Sequence, residues 1–103
     1  MSKVYLKFYV AENQRHNGML LYEWLLDEAK KTGAPGGFAF RAVAGFGRHG
    51  KMHEETFFEL AGDLSVQIEF VLEDTLADKL LTALRLFKLN LFYVRYSVES
   101  GII

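Results

Sequence analysis

Cysteine is absent from this chain, and proline occurs once. The lack of cysteine excludes a disulfide framework, a cysteine-based zinc site and a thiol nucleophile. It also suits a reducing compartment, so the cytoplasm is the expected location. An excess of either charge sign is missing too, with 12 Lys and Arg against 13 Asp and Glu. Without a basic field, no nucleic-acid partner is expected. No apolar run approaches the ~18 residues of a membrane span. The start shows no basic segment followed by an apolar core and a cleavage site, so neither insertion nor export is expected.

What is present points to a folded domain. Half of the residues are hydrophobic and 15% are aromatic, enough apolar surface to offset the entropy of ordering and to exclude intrinsic disorder. The 103 residues fit one domain, taken as 1–103, since domains run to about 100–200 residues. Such a chain buries only roughly two-thirds of its unfolded surface, so contact with further copies would deepen a thin core.

From Lys3 to Val10 the chain alternates strictly, with Val4, Leu6, Phe8 and Val10 on one face and Lys3, Tyr5, Lys7 and Tyr9 on the other, the period of a strand. Glu12 to Gly18 is a polar loop in which Asn13 and Asn17 offer helix-starting chemistry. Leu21, Trp24, Leu25 and Ala29 then share one face of a helix. Gly33, Pro35, Gly36 and Gly37 end it.

Phe38 to Ala44 is expected as a second strand, interrupted by Gly45-Phe46-Gly47-Arg48-His49-Gly50, with extended structure resuming over Thr56 to Leu60. Val66, Ile68, Phe70 and Leu72 mark a third strand. Thr75 and Asp78 resemble a capping box that opens a helix near Leu76, with Leu76, Leu80, Ala83, Leu84 and Phe87 as its stripe. Leu91 to Val98 completes the set.

The order βαββαβ predicts an α+β fold of ferredoxin-like type, a four-stranded antiparallel sheet with two helices on one face. Tyr5 and Tyr9, with Val43 and Val71 as companions, would lie on the opposite face. That face is too apolar for water alone, and sheet-to-sheet association is the simplest cover.

The segment leaving the second strand, Gly45-Phe46-Gly47-Arg48, resembles the base of the T-loop of PII signalling proteins, and Val66 to Asp74 resembles that family's third strand and helix start. Arg15-His16-Asn17-Gly18, Leu21-Tyr22-Glu23, Phe40 to Gly50 and His53 are similar to a PII-like branch catalogued as a domain of unknown function. The resemblance implies a homotrimer with ligand pockets at subunit clefts beside the T-loop base, where PII proteins hold adenine nucleotides. It further implies a regulatory role, exerted through a mobile loop on a protein or membrane-transporter target, and no catalysis. Two positions depart from the PII pattern: His49 stands where those proteins carry glutamine, and Phe87 to Leu91 contains no glycine-rich phosphate loop.

The candidate ligand-binding residues are Glu12, Arg15, His16, Gly45, Phe46, Gly47, Arg48, His49 and Arg95. Backbone N–H groups in a glycine-flexed loop can turn toward an anion, and Arg48 supplies a forked cationic donor; alternatively the glycines only shape a hairpin end. Arg41 and Arg95 could reach a phosphate or carboxylate on the outer sheet face, or pair with a neighbour such as Glu69. His49 and His53, joined by His16 and by Glu54 or Glu55, form the alternative reading of a metal-responsive trimer. A small enzyme with His49 or His16 as acid or base is a third reading, lacking any nucleophile or carboxylate constellation beside it.

Overall fold

A computed structural model of the chain describes residues 2–46 and 65–103. The alternation at the start builds strand β1, Lys3–Ala11, and the second clear alternation builds β5, Ser65–Glu73. Between them lie the two-residue strands β2, Arg15–His16, and β3, Met19–Leu20, then helix α1, Leu21–Thr32, and strand β4, Phe38–Arg41. Helix α2, Asp74–Arg85, and strand β6, Phe92–Val98, follow. The main sheet has the order β4-β5-β1-β6 with every neighbouring pair antiparallel. This is the expected α+β arrangement of four antiparallel strands and two helices.

The alternation decides which face is covered. Val4, Leu6, Phe8 and Val10 of β1 and Val66, Ile68, Phe70 and Leu72 of β5 are buried. They pack with Leu21, Trp24, Leu25 and Ala29 of α1 and Ala77, Leu80, Leu81 and Leu84 of α2. Each such aliphatic or aromatic side chain contributes about 1.5–3 kcal/mol on leaving water. Of the stripe expected for α2, Leu80 and Leu84 are buried and Leu76 packs half-buried against the core, whereas Phe87 is exposed and the stripe extends to Ala77 and Leu81.

Several boundaries differ from expectation. Neither helix has a side-chain cap; the N-cap positions are Leu20 and Glu73. Asn17 and Gly18 instead adopt φ of 52° and 77° and turn the β2–β3 hairpin, since a two-residue turn of this hand needs positive φ at both positions. Helix α2 starts two residues before Leu76, because β5 runs into it directly and Asp74 N–H donates to Ser2 O at 3.0 Å. Strand β4 stops at Arg41, leaving Val43 in the loop and off the sheet face. The extended stretch expected over Thr56 to Leu60 lies outside the described residues.

The glycine-rich stop of α1 acts at two distinct points. Gly33 takes φ of 114° and its N–H donates back to Ala29 and Lys30, a left-handed cap that suits glycine. Gly37 lets the chain pass the Phe70 ring, with which any Cβ would collide. Gly37→Ala should therefore cost about 1–3 kcal/mol by overpacking, read as a lower urea midpoint at unchanged slope.

Candidate ligand site at the strand ends

Strand β5 brings together the two strand ends that carry candidate residues. Ala11 of β1 faces Ser65, and Arg41 of β4 faces Val66 on the other side of the same strand. Two sheet spacings of about 4.8 Å separate β1 from β4, a gap that an arginine side chain can bridge. Arg41 Nη2 lies 2.6 Å from Glu12 Oε2, with both side chains partly solvated. Ala42 N–H donates to Ser65 O at 2.8 Å, fixing where the chain leaves the sheet toward Gly45. Phe46 follows at 95% exposure.

The loop after Glu12 is organised by Gln14. Its Oε1 accepts from Ala11 N–H at 3.2 Å and its carbonyl accepts from Leu21 N–H at 2.7 Å, so one residue ties β1 to the start of α1. Arg15 closes its own hairpin by donating to Gly18 O at 2.9 Å. No sequence pattern marks Gln14 or the Glu12–Arg41 pair, whereas Asn17-Gly18 carries a hairpin signal as well as the helix-capping chemistry expected of it.

His16 is placed away from that cluster. Its ring meets Trp24 edge-on at 4.4 Å and Phe87 at 5.6 Å, while Trp24 and Phe87 lie 4.9 Å apart. His16 Nε2 is buried without a hydrogen-bond partner. Gly47, Arg48, His49 and His53, together with Glu54 and Glu55, lie outside the described residues. Among the described residues no three His, Asp or Glu side chains gather as a metal site.

Arg95 lies on the helix side of the sheet, because it faces buried Leu6, and not on the outer face considered from sequence. Its partners are Asp78 Oδ1 at 2.8 Å, Asp74 Oδ1 at 2.7 Å and Asp74 O at 3.3 Å, not Glu69. The bonds to Asp78 and then Asp74 raise the guanidinium pKa further. Leu6 lies five steps, about 17 Å, from the end of β1 at Ala11, beyond which Glu12 follows, so Arg95 does not meet Glu12 within one copy. The contact fastens β6 to the start of α2, and Arg95→Ala should lower stability by about 1 kcal/mol for these part-exposed pairs. The loss should shrink in concentrated salt, checked by paired urea titrations.

The outer face is apolar with a polar centre. Phe38 and Phe40 of β4 lie across from Glu69 and Gln67, and Tyr96 and Phe92 of β6 lie across from Tyr5 and Tyr9. Phe38, Phe40, Val71, Phe92 and Tyr96 are all exposed. In the middle Tyr5 OH donates to Glu69 Oε1, and Gln67 Nε2 donates to Tyr5 OH at 3.2 Å. Lys7 Nζ stands 5.4 Å and 5.6 Å from the Tyr5 and Tyr9 ring centres, within cation–π range. Desolvation first, and the Glu69 contact second, push the Tyr5 phenol well above its ordinary range. A raised phenol favours the folded state fully below the unfolded value near 10, and that contribution declines as pH climbs beyond it.

Among the described residues, no helix is long and apolar enough to cross a membrane. Residues 3–98 match the model of the DUF190 family, described as "Uncharacterized ACR". A UPF0166 protein of Aquifex aeolicus is 31% identical over 74 residues, covering 72% of this chain and 70% of that protein. CPII of Thiomonas intermedia, solved with ADP, AMP and acetate bound, superposes with a TM-score of 0.60 at 16% identity over 96% of this chain and 90% of that one. A proposed PII-like signalling protein of Thermus thermophilus gives 0.52 at 19% identity over 93% and 85%. At those identities the likeness is one of fold, and the fold is PII-like. With its family model spanning every described strand and helix, the chain belongs to the DUF190 family.

Proposed function

We propose that this chain is a single-domain, cytoplasmic regulatory module, not an enzyme, which assembles as a homotrimer and binds a small anion at the clefts between copies. The observation that carries the reading is the outer sheet face. Four exposed aromatic residues, Phe38, Phe40, Phe92 and Tyr96, surround the Tyr5–Glu69–Gln67 cluster. Water is a poor cover for such a surface, and a cyclic assembly of identical faces covers it.

The anion would meet Arg15, Gly45 and Phe46 beside Glu12, with Gly47, Arg48 and His49 supplied by the segment that follows. Arg95 joins only from a neighbouring copy, and His16 only on leaving Trp24 and Phe87. An adenine nucleotide is the first class to test, since the related fold of CPII holds ADP and AMP. Occupancy would select the conformation of the segment joining β4 to β5 and so change its docking on a protein or membrane-transporter target.

Native mass spectrometry and calorimetry with AMP, ADP, phosphate and acetate test both halves. A three-copy mass and heat with a nucleotide are expected. Arg48→Ala should weaken the affinity about 10- to 100-fold, the range for losing a hydrogen bond to a charged group. A trimer that gives no heat with any of the four loses the ligand, and a monomer loses the clefts.

A further inference from the structure

At the centre of the outer sheet face a lysine and a glutamate stand in register. Lys7 of β1 lies directly opposite Glu69 of β5, with the exposed rings of Phe38, Phe40, Phe92 and Tyr96 around them. Side chains so placed have Cβ atoms about 4.5–5.5 Å apart, near enough for an ion pair, yet the two make none. Glu69 turns to Tyr5, and the bonds it receives from Tyr5 and Gln67 both fall on Oε1, so Oε2 keeps its lone pairs for another donor. Lys7 Nζ lies over the Tyr5 and Tyr9 rings, and among the described residues no carboxylate meets it.

Both side chains are half-buried in a single copy, where water completes their shells. A covered face removes that water, and a buried charge without a partner is strongly destabilising. Two ways of pairing are then open. Within one copy, Lys7 would have to leave its two rings or Glu69 the Tyr5 hydroxyl, giving up the contacts that place them. Between copies, Lys7 keeps its rings, Glu69 keeps Tyr5 on Oε1, and Oε2 receives the ammonium group. Opposite charges on one face also make that face its own complement, as a patch of a single sign is not.

We infer that Lys7 of each copy pairs with Glu69 Oε2 of the next, setting a ring of charged contacts at the centre of an aromatic seam. The pairing rests on the assembly proposed above and specifies its register. Every copy gives its lysine to one neighbour and its glutamate to the other, and a closed ring leaves no charge unmatched. A shifted packing of the same aromatic surfaces would strand both charges, so the pair selects one arrangement from the several that aromatic contact alone permits.

The chain has no cysteine, so a single introduced thiol can bond only to another copy. Lys7→Cys chains mixed with tagged Glu69→Cys chains should give bonds between unlike chains on mild oxidation, with each variant alone giving few. Equal bonding in the separate variants, or none in a mixture that native mass spectrometry shows to be trimeric, would overturn the inference. Charge reversal is the second measurement. Lys7→Glu and Glu69→Lys should each raise the concentration at which the trimer dissociates by about 100-fold or more, the scale of setting like charges across an interface, with unchanged far-ultraviolet circular dichroism. Mixing the two variants should return trimers that contain both chains, whereas pairing within one copy predicts recovery only when both changes share a chain. A trimer indifferent to either reversal, or no recovery on mixing, rejects the pairing. A wild type that is monomeric removes the assembly itself, an outcome distinct from a trimer in which unlike chains do not bond.

Discussion

Phe92→Asp combined with Tyr96→Asp should convert the proposed three-copy assembly into a folded single copy. Both residues lie at the β6 side of the outer face, where Tyr96 packs on Tyr5 at 5.0 Å and Phe92 on Tyr9 at 5.7 Å between ring centres. Within one copy these rings remain accessible to water, so a carboxylate there costs the isolated fold little. In a covered face the same carboxylates must shed water beside apolar neighbours, at a cost of several kcal/mol each, in the range known for unpaired buried charges. Six such groups per trimer exceed what an interface of ordinary size can offset. Light scattering should report one-third of the wild-type mass with unchanged far-ultraviolet circular dichroism. A variant that stays trimeric would move the interface off this face.

The second large effect is on the fold. Phe8 sits mid-way along β1 at 1% exposure, facing Ile68 on one side and Tyr93 on the other. Its ring meets Phe70 edge-on at 6.3 Å and Tyr93 at 6.2 Å. Phe8→Ala should cost about 3–5 kcal/mol, transfer and cavity terms together, against a total of about 5–15 kcal/mol for a domain. Urea unfolding followed by the fluorescence of Trp24 would measure it. A shift below ~1 kcal/mol would mean that the cavity between the end of α2 and the start of β6, which Phe8 lines, lets the core relax around the loss. Association raises the apparent stability, so wild type and variant belong at equal protein concentration.

Strict alternation made β1 and β5 legible residue by residue, because burial on one face of a sheet has period two and nothing else in the chain mimics it. Helix α1 was legible for the same kind of reason, down to its stop at Gly33. The full width of the α2 stripe was not, since Leu80 and Leu84 belong to an apolar face that can be widened toward Leu76 and Ala83 or toward Ala77 and Leu81, and only the approach of the sheet selects between them. Capping is not legible at Asn17-Gly18 because the same two residues suit a helix start and a tight hairpin.

The candidate site was legible in parts. Glu12 and Arg15 could be placed together because they are neighbours in the chain, whereas the Glu12–Arg41 pair depends on β5 passing between two strands, a long-range fact. Arg95 is hard to place from sequence because both alternating sets of β6 carry aromatic residues; its register opposite buried Leu6 fixes its face, and Asp74 and Asp78, one helical turn apart, receive it there. His16 is a polar residue in aromatic company, and no local pattern in the sequence distinguishes that from a solvated loop histidine.

Strand β5 ends at Glu73 and helix α2 begins at Asp74, and that seamless junction fixes how the two halves of the fold can vary. With no loop to absorb a change in length, one inserted residue would rotate the helix by about 100°, one step of 3.6 residues per turn. Ala77, Leu80, Leu81 and Leu84 would swing out together and the charged flank would swing in. Insertions and deletions should therefore be barred from this point and accumulate where the chain leaves β4, a place that can change in length without re-gearing what holds the fold together.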